Sequence, residues 1–404
     1  MNQATQEFIT KNVDADVRQL ALNGSADVDM PFALDQISGR QTARQKLPSW
    51  SAVDGLLYPP RISMEQCSSE LTARYKAQIL GDGSRIVDLT GGFGVDISFI
   101  APQFSESVYV ERQAMLCDIA CHNFKLLGLN TCVVCADGID YLHQMKETDV
   151  IYIDPARRDT VGKRTYAIED CTPNILEIRD EMLDKADRVM IKLSPMLDWR
   201  KAVSDIGEEW VSEVHIVAVN NECKELLVII DKRKAEYGRC QLTTINILAD
   251  GTSQQFTITQ HLSPNTQHPT PIPQHPSPIT QHPTPNTFLY EPNAAIMKAG
   301  CYAELAETFG VTAIAANSHL FVAKELIDDF PGRKFVVDDI TSLNKHEIKT
   351  RLKGLTHANI TVRNFPVNAV QLRKRLKLKE GGSTYLFATT LYDGQHVLIV
   401  THKA

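Results

Sequence analysis

Residues 85–96 read RIVDLTGGFGVD: a β-branched apolar run, an acid, and then Gly91, Gly92 and Gly94 within four positions. The run has the apolar density of a strand buried on both faces, and the glycines let the backbone turn tightly and let a ligand approach it closely. A strand, a glycine turn and a helix start describe the first βα unit of a doubly wound sheet, whose ligands bind outside the carboxyl ends of the strands. The spacing is not G-x-G-x-x-G, because Ile97 takes the last place. Asp88 at the strand end repels phosphate and suits an amine or ammonium, so a cationic, phosphate-free cofactor is favoured over NAD.

The same reading extends outward through SVYVE (107–111), TCVVC (131–135), DVIYID (149–154), RVMIKL (188–193), VHIVAV (214–219) and ELLVII (225–230), with helix-length segments between most of them. Apolar strands alternating with helices predict a parallel sheet covered on both faces. Only residues 220–224 separate the last two runs, too few for a crossover, so they form a hairpin at one edge. The expected fold is α/β, a Rossmann-like, mostly parallel sheet of seven strands. Four of its strands end in acids: Asp88, Glu111 (23 residues on), Asp137 and Asp154. All four are expected around one crevice, where Glu111 suits the two hydroxyls of a ribose and Asp137 the exocyclic amine of adenine.

DLTGGFG, the acid at Glu111, CADG with Asp137, and IDPARR resemble the ordered motifs of class I S-adenosylmethionine-dependent methyltransferases over residues 80–230. The segments EQCSSELTARYK, DPARRD with KRTYAIEDCTPNI, IKLSP and GGSTYLFATTLY extend the likeness over most of the chain, to a bacterial methyltransferase group with a C-terminal THUMP-like domain. The resemblance implies S-adenosyl-L-methionine as cofactor, bound by Asp88, Thr90, Gly91, Gly92, Phe93, Gly94, Glu111, Arg112, Asp137 and Gly138. It implies catalysis at Asp154, Pro155 and Arg157, with Arg158, Lys192 and Ser194 toward the substrate. THUMP modules are associated with RNA modification, so RNA, either tRNA or rRNA, is the implied partner. The fourth-strand motif departs from the Asp/Asn-Pro-Pro-aromatic pattern of amino-group methyltransferases, because Ala156 and Arg157 follow Asp154-Pro155. The 5-methyluridine enzymes need a cysteine after the fifth strand, and Lys192-Leu193-Ser194-Pro195 stands there instead. The consistent mechanism is direct methyl transfer, with Asp154 as orienting acceptor or base. A noncatalytic RNA-binding protein that retains the fold, and a small-molecule methyltransferase, stay open as alternatives.

At 404 residues the chain is too long for one core, and its 43% hydrophobic and 23% charged content is that of a globular protein. Residues 1–80 read as a helical region, 81–240 as the methyltransferase domain, 288–332 as a small ferredoxin-like unit and 333–404 as a basic THUMP-like domain. Residues 261–287 are a linker or insertion in which QHP recurs at 267, 274 and 281 among closely spaced prolines. The net charge of -7 is uneven: residues 331–404 carry 13 Lys+Arg against 5 Asp+Glu, and residues 1–330 carry 29 against 44. Within the tail Arg373, Lys374, Arg375, Lys377 and Lys379 crowd seven positions and are expected to contact phosphates. A capped helix is expected over 293–309, and Asp393-Gly394 between apolar runs predicts a hairpin. The nine cysteines are scattered and odd in number, which fits a reducing cytoplasm, and Cys132 and Cys135 fall on opposite faces of a strand, so no metal site is expected. No apolar run spans a membrane, and no signal pattern opens the chain.

Overall fold

The computed structural model describes residues 2–22, 26–157, 168–232, 239–261 and 282–404. Arg158 and residues 262–281 of the QHP segment lie outside the described residues. The chain divides into two compact units, residues 1–214 with 225–240, and residues 215–224 with 241–404. Among the described residues no helix is long and apolar enough to cross a membrane.

The first unit is built on β1 (Gly83–Asp88), β2 (Phe104–Glu111), β3 (Thr131–Cys135), β4 (Thr148–Ile153), β7 (Ala186–Leu193) and β9 (Glu222–Asp231), with a separate two-residue ladder of β5 (Ala156–Arg157) and β6 (Cys171–Thr172). The order is β9-β7-β4-β1-β2-β3. Every neighbouring pair is parallel except β9, which runs antiparallel to β7. Ile86, Val87, Ile151, Ile153, Val189 and Ile191 have no exposure at all, as strands covered by helices on both faces require. From β1 the chain first moves outward to β2 and β3, then returns to β4 on the other side of β1. That reversal opens a crevice between the carboxyl ends of β1 and β4.

Among the described residues six helices precede β1: Gln3–Lys11, Val17–Leu22, Met30–Lys46, Pro48–Ser51, Arg61–Gln66 and Glu70–Leu80. The last two are separated by Cys67, Ser68 and Ser69. Ser69 caps the second of them by accepting from Thr72 N, and Ser68 turns inward, because a serine hydroxyl offers the backbone a partner that competes with the helix. The irregular stretch at Leu57–Tyr58 is held by two amide clamps. Gln36 donates to Tyr58 O at 2.8 Å and accepts from Tyr58 N at 2.9 Å, and Asn123 does the same for Leu57, both at 2.8 Å. These bonds satisfy backbone that neither helix nor sheet would satisfy.

β8 (Val211–Val219) and β9 form the expected hairpin, with Asn220 and Asn221 both at positive φ, 49° and 65°. Positive φ at both central residues is the geometry of a two-residue turn that matches strand twist. In the second unit two strands that the sequence did not signal, β10 (Arg239–Ile247) and β11 (Ser253–His261), pair in the order β11-β10-β8. A second sheet of β12 (Phe288–Pro292), β13 (Thr312–Ala313), β14 (Phe321–Ala323), β15 (Gly332–Ser342), β16 (Asn359–Arg363), β17 (Thr384–Thr390) and β18 (His396–Lys403) follows the order β13-β14-β12-β15-β18-β17-β16. β17 and β18 are the hairpin around Asp393-Gly394. The helix expected over 293–309 is two, Ala294–Ala299 and Tyr302–Phe309, because Gly300 adopts the left-handed conformation and ends the first. Leu372, Ala388 and Leu398 form a core in which the basic helix Ala369–Leu376 covers the sheet.

Candidate active site

The glycine loop after β1 is shaped by a tyrosine. Tyr109 of β2 is fully buried and donates to Gly92 O at 2.5 Å. A Cβ on Gly91 would lie 2.2 Å from its ring, and one on Gly94, at φ +81°, would lie 2.8 Å from Phe124. Only glycine fits either place. Gly92 is also at positive φ, +54°, but space there is open: a Cβ would meet nothing closer than Thr90 O at 3.8 Å. The loop's outer face is bare backbone.

The strand-end acids do different things. Asp88 is 1% exposed and accepts from Thr90 N at 2.9 Å. Burial pushes its carboxyl well above the usual range against the pull of that hydrogen bond, and the negative charges of Asp96, Asp154 and Glu111 add to the effect. Glu111 is buried and accepts from Gly92 N at 3.0 Å and Gln113 N at 2.9 Å, tying the turns after β1 and β2 together. Asp137 is exposed and caps the helix Gly138–Gln144 by accepting from Ile139 N at 2.9 Å. That helix starts so close to β1 that a Cβ on Gly138 would lie 2.2 Å from Leu89 O. Arg112 is exposed beside the crevice. Phe93 is buried instead among the N-terminal helices, its ring 5.1 Å from Trp50 and 6.3 Å from Tyr58, so its side chain anchors the loop from behind.

Across the crevice, Asp154 N donates to Thr90 Oγ1 at 2.7 Å, which joins the end of β4 to the glycine loop. The Asp154 carboxyl is 37% exposed and sits 2.5 Å from Lys192 Nζ, a side chain only 12% exposed. Lys192, expected toward the substrate, therefore spends its charge on Asp154. Pro155 is buried, Arg157 lies in β5, and Ser194 accepts from Met196 N at 3.3 Å in the turn after β7. Burial raises the Asp154 carboxyl above its ordinary value, tempered by its exposure and opposed by Lys192. Burial also works against the Lys192 ammonium, but Asp154, Asp96 and Glu225 together hold it well above its usual range. Burial outweighs the attraction of Lys192, which is why Asp154 stays raised beside a cation.

Five residues that the sequence reading did not single out as site residues stand behind this pair. Asp96, in the helix Val95–Ile100, accepts from Tyr152 Oη and from Ser68 Oγ, and Lys76 lies between Asp96 and Glu225. Burial opposes ionisation of Asp96, yet Lys76, Lys192 and Tyr152 outweigh it and hold the carboxyl at about 2. A lysine in the apolar row Ala73, Lys76, Ala77, Leu80, and an acid opening the run ELLVII, were the signals available.

A bare loop at Gly92 ringed by carboxylates fits a sulfonium nucleoside and disfavours a pyrophosphate. Of the basic tail residues, Lys374, Arg375, Lys377 and Lys379 are exposed, whereas Arg373 is 22% exposed and lies 3.3 Å from Glu380.

Comparison with known proteins agrees. The family described as THUMP domain-like matches residues 332–403, and one described as a ferredoxin-like domain matches residues 288–331. A crystal structure described as a "putative methyltransferase" from Porphyromonas gingivalis W83 is 32% identical, covers 99% of this chain and 98% of its own, and superposes with a TM-score of 0.84. An uncharacterised S-adenosylmethionine-dependent methyltransferase of Mycobacterium tuberculosis is 24% identical over 163 residues. That match spans 40% of this chain and 43% of the length of the relative. The chain belongs to the family of S-adenosylmethionine-dependent methyltransferases that carry a C-terminal THUMP-like domain.

Proposed function

We propose that this protein methylates RNA, tRNA or rRNA, by direct transfer at the crevice of the first unit. The observation that carries the reading is the Asp154–Lys192 pair. Among the carboxylates of Asp88, Glu111 and Asp154, only that of Asp154 is substantially open, and it closes the strand where methyltransferases of this fold receive their substrate. S-adenosylmethionine, when bound, supplies a sulfonium methyl that leaves sulfur as the nucleophile's lone pair forms the new bond to carbon. Gly92 and Glu111 would hold its adenosine part, with Asp137 on the adenine side. Asp154 then orients the substrate group and accepts its proton, while Lys192 keeps the carboxylate in place. The end of β7, where a covalent mechanism would place a thiol, carries Lys192 and, just past the strand, Ser194, which favours direct transfer.

The THUMP-like match and the exposed Lys374, Arg375, Lys377 and Lys379 support RNA as the substrate, since clustered cations gain affinity for a phosphate backbone through counterion release. All nine cysteines are free thiols, which suits a reducing cytoplasm. The test is transfer of radiolabelled methyl from S-adenosylmethionine into total RNA, compared with protein and small metabolites, followed by nucleoside analysis. Label in RNA that disappears with Asp154→Ala, while S-adenosylhomocysteine still binds, supports the reading. Label only in small metabolites, or none in any pool, refutes it.

A further inference from the structure

Behind the crevice lies a buried line of charge that runs back into the N-terminal helical region. Lys76, on the helix Glu70–Leu80, is 0% exposed. Its Nζ is 2.6 Å from Glu225 Oε2 and 2.9 Å from Asp96 Oδ1, and it donates to Ser68 Oγ at 3.0 Å. Ser68 Oγ lies 2.8 Å from Asp96 Oδ2 and 3.1 Å from Glu225 Oε1, its single proton serving either. Asp96 Oδ2 also takes the Tyr152 hydroxyl at 2.7 Å and faces Lys192 Nζ at 3.7 Å. Lys192 reaches Asp154 Oδ2. The charges alternate from the interior to the crevice: Lys76, Asp96, Lys192, Asp154.

A wholly buried ammonium is costly to desolvate, and apolar packing would fill the same space at no such cost. Two ammonium groups face three carboxylates here, Asp96, Glu225 and Asp154. The cluster is one proton short of neutrality, and Asp154 is the member of the five that opens substantially to the crevice. Lys192 stands between two carboxylates that compete for it. Without Lys76, Asp96 would draw the Lys192 ammonium inward.

We propose that Lys76 is a positioning residue: by holding Asp96, it leaves Lys192 free to face Asp154, and so keeps Asp154 ready to take the proton that the attacking substrate group releases. The inference rests on the methyl-transfer reading above. In that step an N–H or O–H bond of the substrate breaks, its proton moves to Asp154, and its electron pair stays on the substrate atom. The methyl carbon gains a bond to that atom and loses its bond to sulfur, which keeps the pair and becomes a neutral thioether. The cluster passes from one net negative charge to none. The groups around Asp154 are Lys192 from β7, Asp96 from the helix Val95–Ile100, Asp88 and Thr90 from the end of β1, and Lys76 behind them.

The experiment compares the native chain with Lys76→Met/Glu225→Gln, which removes one charge of each sign and avoids the stranded carboxylate that Lys76→Met alone would leave. Two quantities are read across pH: kcat for methyl transfer, and the titration of the Asp154 carboxyl by carbon-13 aspartate resonances, assigned through loss in Asp154→Asn. The acidic limb of kcat and the Asp154 titration should both move upward by about half to one pH unit, a roughly three- to tenfold loss of rate below the limb. S-adenosylhomocysteine affinity should stay near native. A folded double variant whose limb and Asp154 titration both match the native chain overturns the proposal, because a purely structural lysine would change only the melting temperature. If the native chain transfers no methyl group, the proposed function fails by itself. The carboxyl titration then decides alone: an upward shift supports the Lys76 coupling, and an unmoved titration overturns it.

Discussion

Glu111→Gln tests the cofactor loop most directly. The native carboxylate accepts from Gly92 N at 3.0 Å and Gln113 N at 2.9 Å, one bond at each oxygen. An amide of the same shape has one acceptor, so one N–H loses its partner and faces an NH2 group, and the surviving bond loses its charge. A hydrogen bond to a charged group contributes about 1.5–3 kcal/mol. For a unit of this size the loss should lower the melting temperature by about 3–12 °C. The second lone pair of each oxygen is the acceptor available to a ribose hydroxyl, and losing one should weaken S-adenosylhomocysteine roughly ten- to hundredfold. Titration calorimetry with S-adenosylhomocysteine, alongside thermal unfolding followed by circular dichroism, reads both quantities. A lowered melting temperature with affinity within about twofold of native would confine Glu111 to fastening the loop. Tighter binding of NAD than of S-adenosylhomocysteine by the native chain would discard the cofactor reading itself.

Neutralising Lys374, Arg375, Lys377 and Lys379 together should weaken single-stranded RNA binding irrespective of sequence and flatten the log-log salt slope by about 0.7 per lost phosphate contact. Fluorescence anisotropy at several salt concentrations measures it, and an unchanged slope would leave these residues a solvated face. Asp137→Ala should cost about 1 kcal/mol through the lost helix cap and also weaken S-adenosylhomocysteine; unchanged calorimetric affinity would restrict Asp137 to capping. For Asp96 the folded carboxyl titrates at about 2 against an ordinary 3.8, so its ionisation stabilises the fold above that ordinary value and the contribution is lost as pH falls toward 2. Asp96→Asn, which takes one carboxylate from both Lys76 and Lys192 while Glu225 and Asp154 remain, should be less stable than native at neutral pH, with the gap narrowing as pH falls through that window in urea titrations. A gap independent of pH would contradict the charge assignment.

The sheet was legible because its signals are local. Runs such as DVIYID and RVMIKL can only be strands buried on both faces, Asp393-Gly394 marks its own hairpin, and the glycines after Asp88 are demanded by a turn that no other residue makes. β10 and β11 escaped because Thr243, Thr244 and Asn246 are polar yet buried, so the hydrophobic period that reveals a strand is missing. Phe93 read as part of a ligand loop, and only the packing of Trp50 and Tyr58 turned its ring away from the crevice. The charge line behind Asp154 lay furthest from view. Lys76 and Glu225 are 149 positions apart, and along the chain each looks like one more solvated charge. Sequence determined which acids end the strands, because strand period and glycine geometry act over a few residues. Which lysine faces which acid was decided only by the folded chain, because ion pairing depends on distance and burial in space, and neither is written in neighbouring residues.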